Sequence, residues 1–69
     1  MTKQEKELEL VISEIMKRKK IDGNPSDFYM IEKESSKNYL GTATIGNLTA
    51  NVKGKDSKTT IKNLTKELR

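Results

Sequence analysis

The first third of the chain carries apolar residues at helical spacing, at positions i, i+3, i+4, i+7 and i+8. These residues are Leu8, Val11, Ile12, Ile15 and Met16. Thr2 and Glu5 fit the S/T-x-x-E capping box that starts many helices. Gly23 and Pro25 are residue types that end helices. The pattern predicts an amphipathic helix over about 3–21, with the apolar stripe packed into a core.

The middle of the chain has the pattern of β-strands. Residues 28–34 begin with four strand-forming residues in a row, and 39–45 alternate, with Tyr39, Gly41, Ala43 and Ile45 on one face. Residues 48–53 also alternate, with Leu48, Ala50 and Val52 facing inward. Residues 34–38 read as a polar turn, and Gly46-Asn47 as a two-residue hairpin turn of type II′ or I′. We therefore predict three strands joined as a meander.

The end of the chain returns to helical spacing. Ile61, Leu64 and Leu68 form an apolar stripe, and Asp56 or Ser57 is suited to cap the helix. This predicts a second helix over about 57–68. The predicted fold class is α+β, in the order α-β-β-β-α. A three-stranded antiparallel sheet would have both helices packed on one face, in a single small domain over 1–69.

Composition narrows the chemistry available to the chain. Of its 69 residues 32% are hydrophobic and 35% charged, and none is cysteine or histidine. This rules out disulfides, thiolate chemistry and the commonest general base and metal ligand. The acidic residues have no spacing typical of a metal or paired-carboxylate site, and there is no phosphate-binding glycine motif. We expect no enzyme activity and no cofactor.

Hydropathy argues against a membrane partner and against secretion. No apolar run approaches the roughly 20 residues of a membrane span. The first residues, 1–9, are charged and lack the apolar segment of a signal peptide. We expect an intracellular protein, cytoplasmic or nuclear.

The net charge of +4 is placed unevenly along the chain. Residues 1–34 are almost balanced. Residues 51–69 carry six basic side chains and two acidic ones. Lys58, Lys62 and Lys66 follow at i, i+4 and i+8 on one face of the second helix. Such a basic region is typical of proteins that bind polyanions, although lysines also solvate exposed helices.

The start of the second helix adds to this picture. Its N-terminus should offer unpaired backbone N–H groups and the positive end of the helix dipole, flanked by Lys55 and Lys58. The chain here resembles the double-stranded RNA-binding domain, a family with the order α-β-β-β-α. The second helix of that family opens with the pattern G-x-G-x-S-K-K-x-A-K. In residues 54–62 (GKDSKTTIK), Ser57, Lys58 and Lys62 match this pattern, and Thr59 replaces the second lysine.

The resemblance extends to the first helix and the first strand. Residues 12–14 (ISE) and Lys17 look like the L-x-E motif of the family and the polar residue three positions later. Pro25 and Phe28 look like the proline before an aromatic-led first strand, and Glu32 like the acid within that strand.

The chain departs from the family pattern at three places. The Gly-Pro-x-His turn after the first strand would fall near residues 35–38 (SSKN), where none of its residues matches, so the minor-groove contact of its histidine is missing. The Ala-Ala pair of the second helix is replaced near Leu64 and Thr65. The second helix also stops early, at Arg69.

The resemblance implies shape-dependent binding of duplex RNA across about 16 base pairs. The first helix would face one minor groove and the loop around 35–38 the next, with lysines of the second helix on the phosphates between them. The implied RNA-binding residues are Glu14, Lys17, Lys37, Lys55, Lys58, Lys62 and Lys66.

Three alternatives stay open. A domain of this topology could be a protein-interaction or dimerisation module that uses an edge strand such as 28–33. It could be an accessory protein of a virus or mobile element that acts on a host protein. The same lysines could also bind DNA in general.

Overall fold

The computed structural model describes residues 2–69 and confirms the predicted α+β architecture. The elements are α1 (Lys3–Lys19), a 3₁₀ turn (Pro25–Phe28), β1 (Tyr29–Ser35), β2 (Asn38–Ile45), β3 (Leu48–Gly54) and α2 (Ser57–Leu68). The three strands form one antiparallel sheet in the order β1-β2-β3. Both helices pack against this sheet, which leaves its other face uncovered.

The first helix begins as predicted and ends earlier. The Thr2 hydroxyl accepts from the backbone N–H of Glu5 at 3.2 Å, and it donates to the Glu5 carboxylate. At the other end, Lys20 has a left-handed backbone, with φ of 57°. Its N–H donates to the Lys17 carbonyl, and the N–H of Ile21 donates to the Met16 carbonyl. This pair of bonds is a Schellman cap, so the helix stops at Lys19 rather than at residue 21.

The first strand starts later than its hydrophobic residues suggest. The sequence pattern predicts Phe28 in the strand, but this residue closes the 3₁₀ turn that begins at Pro25. Proline fixes φ near the helical value, which favours a turn at this point. At its other end β1 continues to Ser35, so the predicted five-residue turn shortens to Ser36-Lys37, with an irregularity in the pairing between Lys33 and Ser35.

The second hairpin turn agrees with the prediction. Gly46 has φ of +65°, and Asn47 does not share this left-handed conformation, which is the pattern of a type II′ turn. The inward face of β2 is buried as expected. On β3, Leu48 lies on the inner face opposite Ile45, but it is 38% exposed because it sits at a corner that the helices leave open.

The core lies between the two helices and the inner face of the sheet. Four apolar side chains are completely buried, and the buried part of α2 also includes Thr60 and Thr65. Each of these threonines donates its hydroxyl to a carbonyl one turn earlier, of Asp56 and Ile61 respectively, so neither leaves an unpaired polar atom in the core. The fully buried apolar residues are Leu8, Ile12, Ile45 and Leu64.

Candidate nucleic-acid interface

Three lysines form a row along the solvent side of α2. Lys58, Lys62 and Lys66 are all exposed, and residues 60, 61, 64 and 65 of the same helix are buried. Residues four apart on a helix lie on one face, so the three ammonium groups follow each other at intervals of about one turn. We call Lys58, Lys62 and Lys66 the lysine ridge.

Close backbone contacts fix α2, and with it the lysine ridge, on the sheet. Two strand glycines face Thr60, and neither has room for a side chain. A Cβ at Gly41 would lie 2.8 Å from Thr60 Cγ2, and one at Gly54 would lie 2.8 Å from the Thr60 backbone nitrogen. Farther along the helix, Asn63 Nδ2 donates to the Lys53 carbonyl at 3.0 Å. The ridge therefore sits on a helix held by both backbone approach and hydrogen bonding.

The N-terminus of α2 is capped by the protein itself. Asp56 Oδ1 accepts from the Thr59 N–H at 2.7 Å, which lowers the pKa of this carboxyl; the nearby charges of Lys55 and Lys58 lower the pKa further. The expectation of open N–H groups is therefore wrong for Thr59, because an ionised carboxylate already occupies the position of an incoming anion. Phosphate binding at this helix would depend on lysine side chains.

Two of the predicted residues outside the ridge meet at one end of the sheet. Tyr39 pairs with Gly54, so the turn that contains Lys37 and the loop that contains Lys55 project from the same end. Both side chains are exposed. α2 also begins at this end, with Lys58 in its first turn. Lys37, Lys55 and the first lysine of the ridge therefore share one region of the surface.

The fold brings in two lysines that the sequence pattern missed. Lys33 pairs with Tyr39 at this same end of the sheet. Lys53 lines a groove between β3 and α2 together with Lys66. Both side chains are exposed. The register of β1 and β2 is the signal that would have found Lys33, whereas Lys53 is placed beside Lys66 by the packing of α2 against β3.

The two predicted residues of α1 lie elsewhere. Glu14 and Lys17 are exposed on its C-terminal half. That end of α1 contacts the β2–β3 turn, where Lys19 Nζ donates to Asn47 Oδ1 at 2.9 Å. The eight residues of β2 separate the two ends of the sheet by about 25 Å. The structure therefore does not bring Glu14 and Lys17 together with Lys37 and Lys55.

A shallow groove runs between α1 and α2 beside the ridge. Gln4 and Glu7 line it from α1, and Lys62 and Lys66 from α2. At its end Arg69 forms a salt bridge with Glu7 at 2.9 Å; the Arg69 side chain is exposed and the Glu7 side chain is about half exposed. Such an exposed pair contributes about 1 kcal/mol at most. Lys62 and Lys66 line the same groove but take no part in this salt bridge.

Tyr29 and Glu9 form a second polar pair, which is suited to a structural role rather than to proton transfer. Tyr29 Oη donates to Glu9 Oε2 at 3.2 Å. Burial, followed by the charge of Glu9 and this hydrogen bond, raises the pKa of Tyr29 to about 12. The phenol therefore stays protonated at neutral pH. Among residues 2–69 no group of three or more acidic side chains is placed to hold a metal ion.

The comparisons with known proteins give no match, so a functional proposal rests on the fold and the surface. No protein-family model, curated protein or solved structure matches the chain. Within residues 2–69, neither helix is long and apolar enough to cross a membrane. The order α-β-β-β-α agrees with the resemblance noted in the sequence, and membership of that family stays a prediction.

Proposed function

We propose that this chain is a small, non-catalytic nucleic-acid-binding module that binds double-stranded RNA through the lysine ridge, with Lys55 and Lys37 at its edge. One observation carries the proposal: three exposed lysines lie in a row on a helix packed tightly on the sheet. In the described part of the chain the salt bridge found is Arg69–Glu7, so no carboxylate there pairs with a ridge lysine. Lysine ammonium groups that have no carboxylate partner are suited to bind phosphates.

The choice of an RNA duplex rests on shape and on the resemblance. A-form RNA is recognised mostly through its backbone and its 2′-hydroxyl groups, which suits a row of lysines without base-reading side chains. The molecule is 38 Å along its longest axis, long enough to follow a duplex across a groove. An intracellular location, cytoplasmic or nuclear, belongs to the same proposal, because duplex RNA is met inside cells.

The test is a titration with a blunt RNA duplex of roughly 20 base pairs, longer than the ~16 that such domains span, against DNA of the same sequence at two salt concentrations. The wild type is compared with Lys58→Gln/Lys62→Gln. The matched control, Lys3→Gln/Lys6→Gln, removes the same two charges from exposed positions on the first turns of α1. Each phosphate contact adds about 0.9 to the log–log salt slope for a B-form duplex, so the ridge variant should lose about two units of slope.

The results of this titration distinguish RNA binding from general polyanion binding and from no nucleic-acid binding. RNA-preferring binding that weakens in the ridge variant and not in the control supports the proposal. Equal binding of RNA and DNA would leave a general basic surface. Unchanged binding by the ridge variant would mean that another surface carries the contact, and binding to neither duplex at low salt would end the nucleic-acid proposal. Circular dichroism of each variant checks that it is folded.

A protein-interaction module is the second candidate, and one observation favours it. β1 is an edge strand of the sheet, and its Met30 is 56% exposed on the uncovered face. An edge strand can pair with a strand of another chain. Glu32 and Lys33 on β1 oppose this, because charged side chains protect sheet edges from pairing. A mass that rises with concentration, in a protein that binds neither duplex, would favour this candidate.

A further inference from the structure

The β3 strand is the second edge of the sheet, and the backbone on its outer side is open. The residues that flank the two-residue hairpin turn form a hydrogen-bonded pair, and such pairs recur at every second position along β2 and β3. The backbone N–H and C=O groups of Thr49, Asn51 and Lys53 therefore point away from β2, toward the free edge. The hydrogen bond from Asn63 to the Lys53 carbonyl agrees with this direction.

Most of this edge has neither a partner nor the usual protection. Among residues 2–69, the side-chain hydrogen bond made to the β3 backbone is the one from Asn63, which leaves the outward N–H and C=O groups of Thr49 and Asn51 unpaired. Natural sheets protect edge strands with charged side chains, prolines or bulges. Residues 48–52 (LTANV) contain no charge and no proline, and their pairing with β2 is regular. The edge of β3 is therefore suited to accept a strand from another chain.

Cations stand at both ends of the open edge. At one end, Lys53 and Lys66 line a groove between β3 and α2, where Glu67 is the acidic residue. At the other end, Arg18 and Lys19 line a pocket beside the start of β3. All four basic side chains are exposed. Four cations and one acid make the surroundings of the edge positive, which complements acidic side chains and opposes a second copy of this basic chain.

The groove and the pocket also contain apolar surface. Val52 lies in the groove and is half-buried, and Leu48 lies in the pocket beside Leu68 and is 38% exposed. Leu48 and Val52 face the same side of the sheet, with the buried Ala50 between them. Because alternate residues of an added strand would face that side too, apolar side chains at alternate positions would cover both residues.

We propose that an extended acidic segment of a partner protein adds to β3 as a fourth strand, antiparallel to it. Its backbone exchanges hydrogen bonds with Thr49 and Asn51, its alternate apolar side chains cover Leu48 and Val52, and carboxylates at both of its ends meet the four cations. The inference goes beyond the proposed duplex binding, because it uses the backbone of a sheet edge rather than the lysine ridge alone.

The test uses a synthetic peptide and the full-length protein, without nucleic acid. The fluorescent probe has the core Val-Thr-Val-Thr-Val between two pairs of glutamates, with valine for the inner face and threonine for the outer face. One control peptide has lysine in place of every glutamate. Two others carry N-methyl groups, either on the threonines, whose N–H groups would face β3, or on the first two valines, whose N–H groups would face away. Fluorescence anisotropy measures binding.

Two further measurements locate the peptide on the protein. Amide hydrogen exchange, followed by NMR, reports whether Thr49 and Asn51 become protected. The Lys33 amide is the matched control, because it points outward from β1, the other edge strand. The protein variant Arg18→Gln/Lys53→Gln removes one cation from each end of the edge, and Lys3→Gln/Lys6→Gln removes two from the first turns of α1. Circular dichroism checks that both variants are folded.

We expect saturable binding of the acidic peptide and slower exchange at Thr49 and Asn51, with no change at Lys33. N-methylation of the threonines should weaken binding at least about tenfold, because two backbone hydrogen bonds are lost, whereas N-methylation of the valines should change it less than about threefold. Arg18→Gln/Lys53→Gln should weaken binding about fivefold at low salt, and the control variant less than about twofold. The lysine peptide should not bind.

Four results would overturn the inference. The acidic peptide could fail to bind, or the lysine peptide could bind as tightly, in which case charge does not select the partner. Slower exchange at Lys33 in place of Thr49 and Asn51 would assign the added strand to β1. Protection of Thr49 and Asn51 that rises with protein concentration in the absence of peptide would assign the edge to a second copy of the chain. None of these results decides the duplex titration, so the two proposals can fail separately.

Discussion

The two helices share a design and differ in what they pack against. Each is amphipathic, and each is capped by the side chain of the residue before it, Thr2 for α1 and Asp56 for α2. α2 lies on the sheet so closely that Gly41 and Gly54 leave no space for a side chain. α1 packs mainly against α2 and the 3₁₀ turn. Backbone contact thus holds α2 with its lysine ridge, whereas side-chain packing holds α1.

The charges of the two helices differ in the same way. On α2 the cations repeat every four residues along the exposed face, so the sequence periodicity reveals them directly. On α1 acids crowd the first half and cations the last turn, and a sum over the segment conceals both. Sequence periodicity therefore reveals a charged surface that runs along a helix. A charged surface at the end of a helix is revealed only by where the charged residues lie along that helix.

The largest expected effect tests whether both helices belong to one core. Ile12→Ala in α1 and Leu64→Ala in α2 each remove a fully buried side chain. Each should lower the free energy of unfolding by about 2–5 kcal/mol through lost burial and the cavity left behind. Urea unfolding followed by circular dichroism measures it.

Leu10→Ala is the control, because that side chain is 61% exposed on α1 and its removal should cost little. A loss near zero for Ile12→Ala would mean that α1 is not packed as described. In that case α2 would belong to the folded core, and α1 would be only loosely attached to it.

The next effect tests the backbone approach of α2. Gly41→Ala and Gly54→Ala should each cost about 1–3 kcal/mol, because the added methyl group meets Thr60. The clash at Gly41 is with the Thr60 side-chain methyl, whereas the clash at Gly54 includes Thr60 backbone atoms. Thr60→Ser removes that methyl, so it should recover part of the loss in Gly41→Ala and none in Gly54→Ala. Equal recovery in both, measured by a double-mutant cycle in urea, would contradict the geometry.

Much of this fold could be predicted from the sequence because the signals are local. The apolar stripes, the Gly46-Asn47 turn and the caps at Thr2 and Asp56 each lie within a few residues. Phe28 was misplaced because its strand propensity competes with the proline-initiated turn before it. Leu48 has the right face, but its exposure depends on where the helices end. The close approach of Gly54 to Thr60 depends on the crossing of a helix over a sheet, which no spacing encodes.

The residues of the candidate site also divide into those that local spacing predicts and those whose position depends on how the elements pack. Lys58, Lys62 and Lys66 could be predicted to share an exposed face, because one helix contains all three. Lys33 could not be placed at the same end of the sheet without the register of β1 and β2, nor Lys53 beside Lys66 without the packing of α2 against β3. The separation of Glu14 from Lys37 likewise follows from which end of the sheet α1 reaches, a property of the packed molecule.

A smaller effect concerns the C-terminus of α1, where Lys20 has a left-handed backbone. Lys20→Gly should raise the free energy of unfolding by about 1 kcal/mol, since glycine adopts the left-handed conformation without strain. Lys20→Ala keeps the strain and removes the charge, so it should bring no comparable gain. Thermal unfolding of the three proteins side by side measures this. A gain in both variants would show that repulsion among the cations at residues 17–20, rather than the backbone, limits stability there.

The smallest effect separates the two caps by pH. Because the folded state lowers the pKa of Asp56, this carboxylate contributes stability that is present above its unfolded pKa of about 4 and lost as pH falls through the lower folded value. The advantage of wild type over Asp56→Ala in thermal unfolding should therefore be constant above about pH 5 and shrink below pH 4. Thr2 carries no charge, so the hydrogen bond that its hydroxyl accepts from the Glu5 N–H does not itself titrate. Asp56→Asn keeps a capping oxygen without the titration, so its difference from Asp56→Ala should also be independent of pH in this range. An advantage of wild type over Asp56→Ala that stays constant down to pH 2 would mean that the hydrogen bond from Thr59 does not depend on the charge of the carboxylate. The two helices would then be capped in the same way.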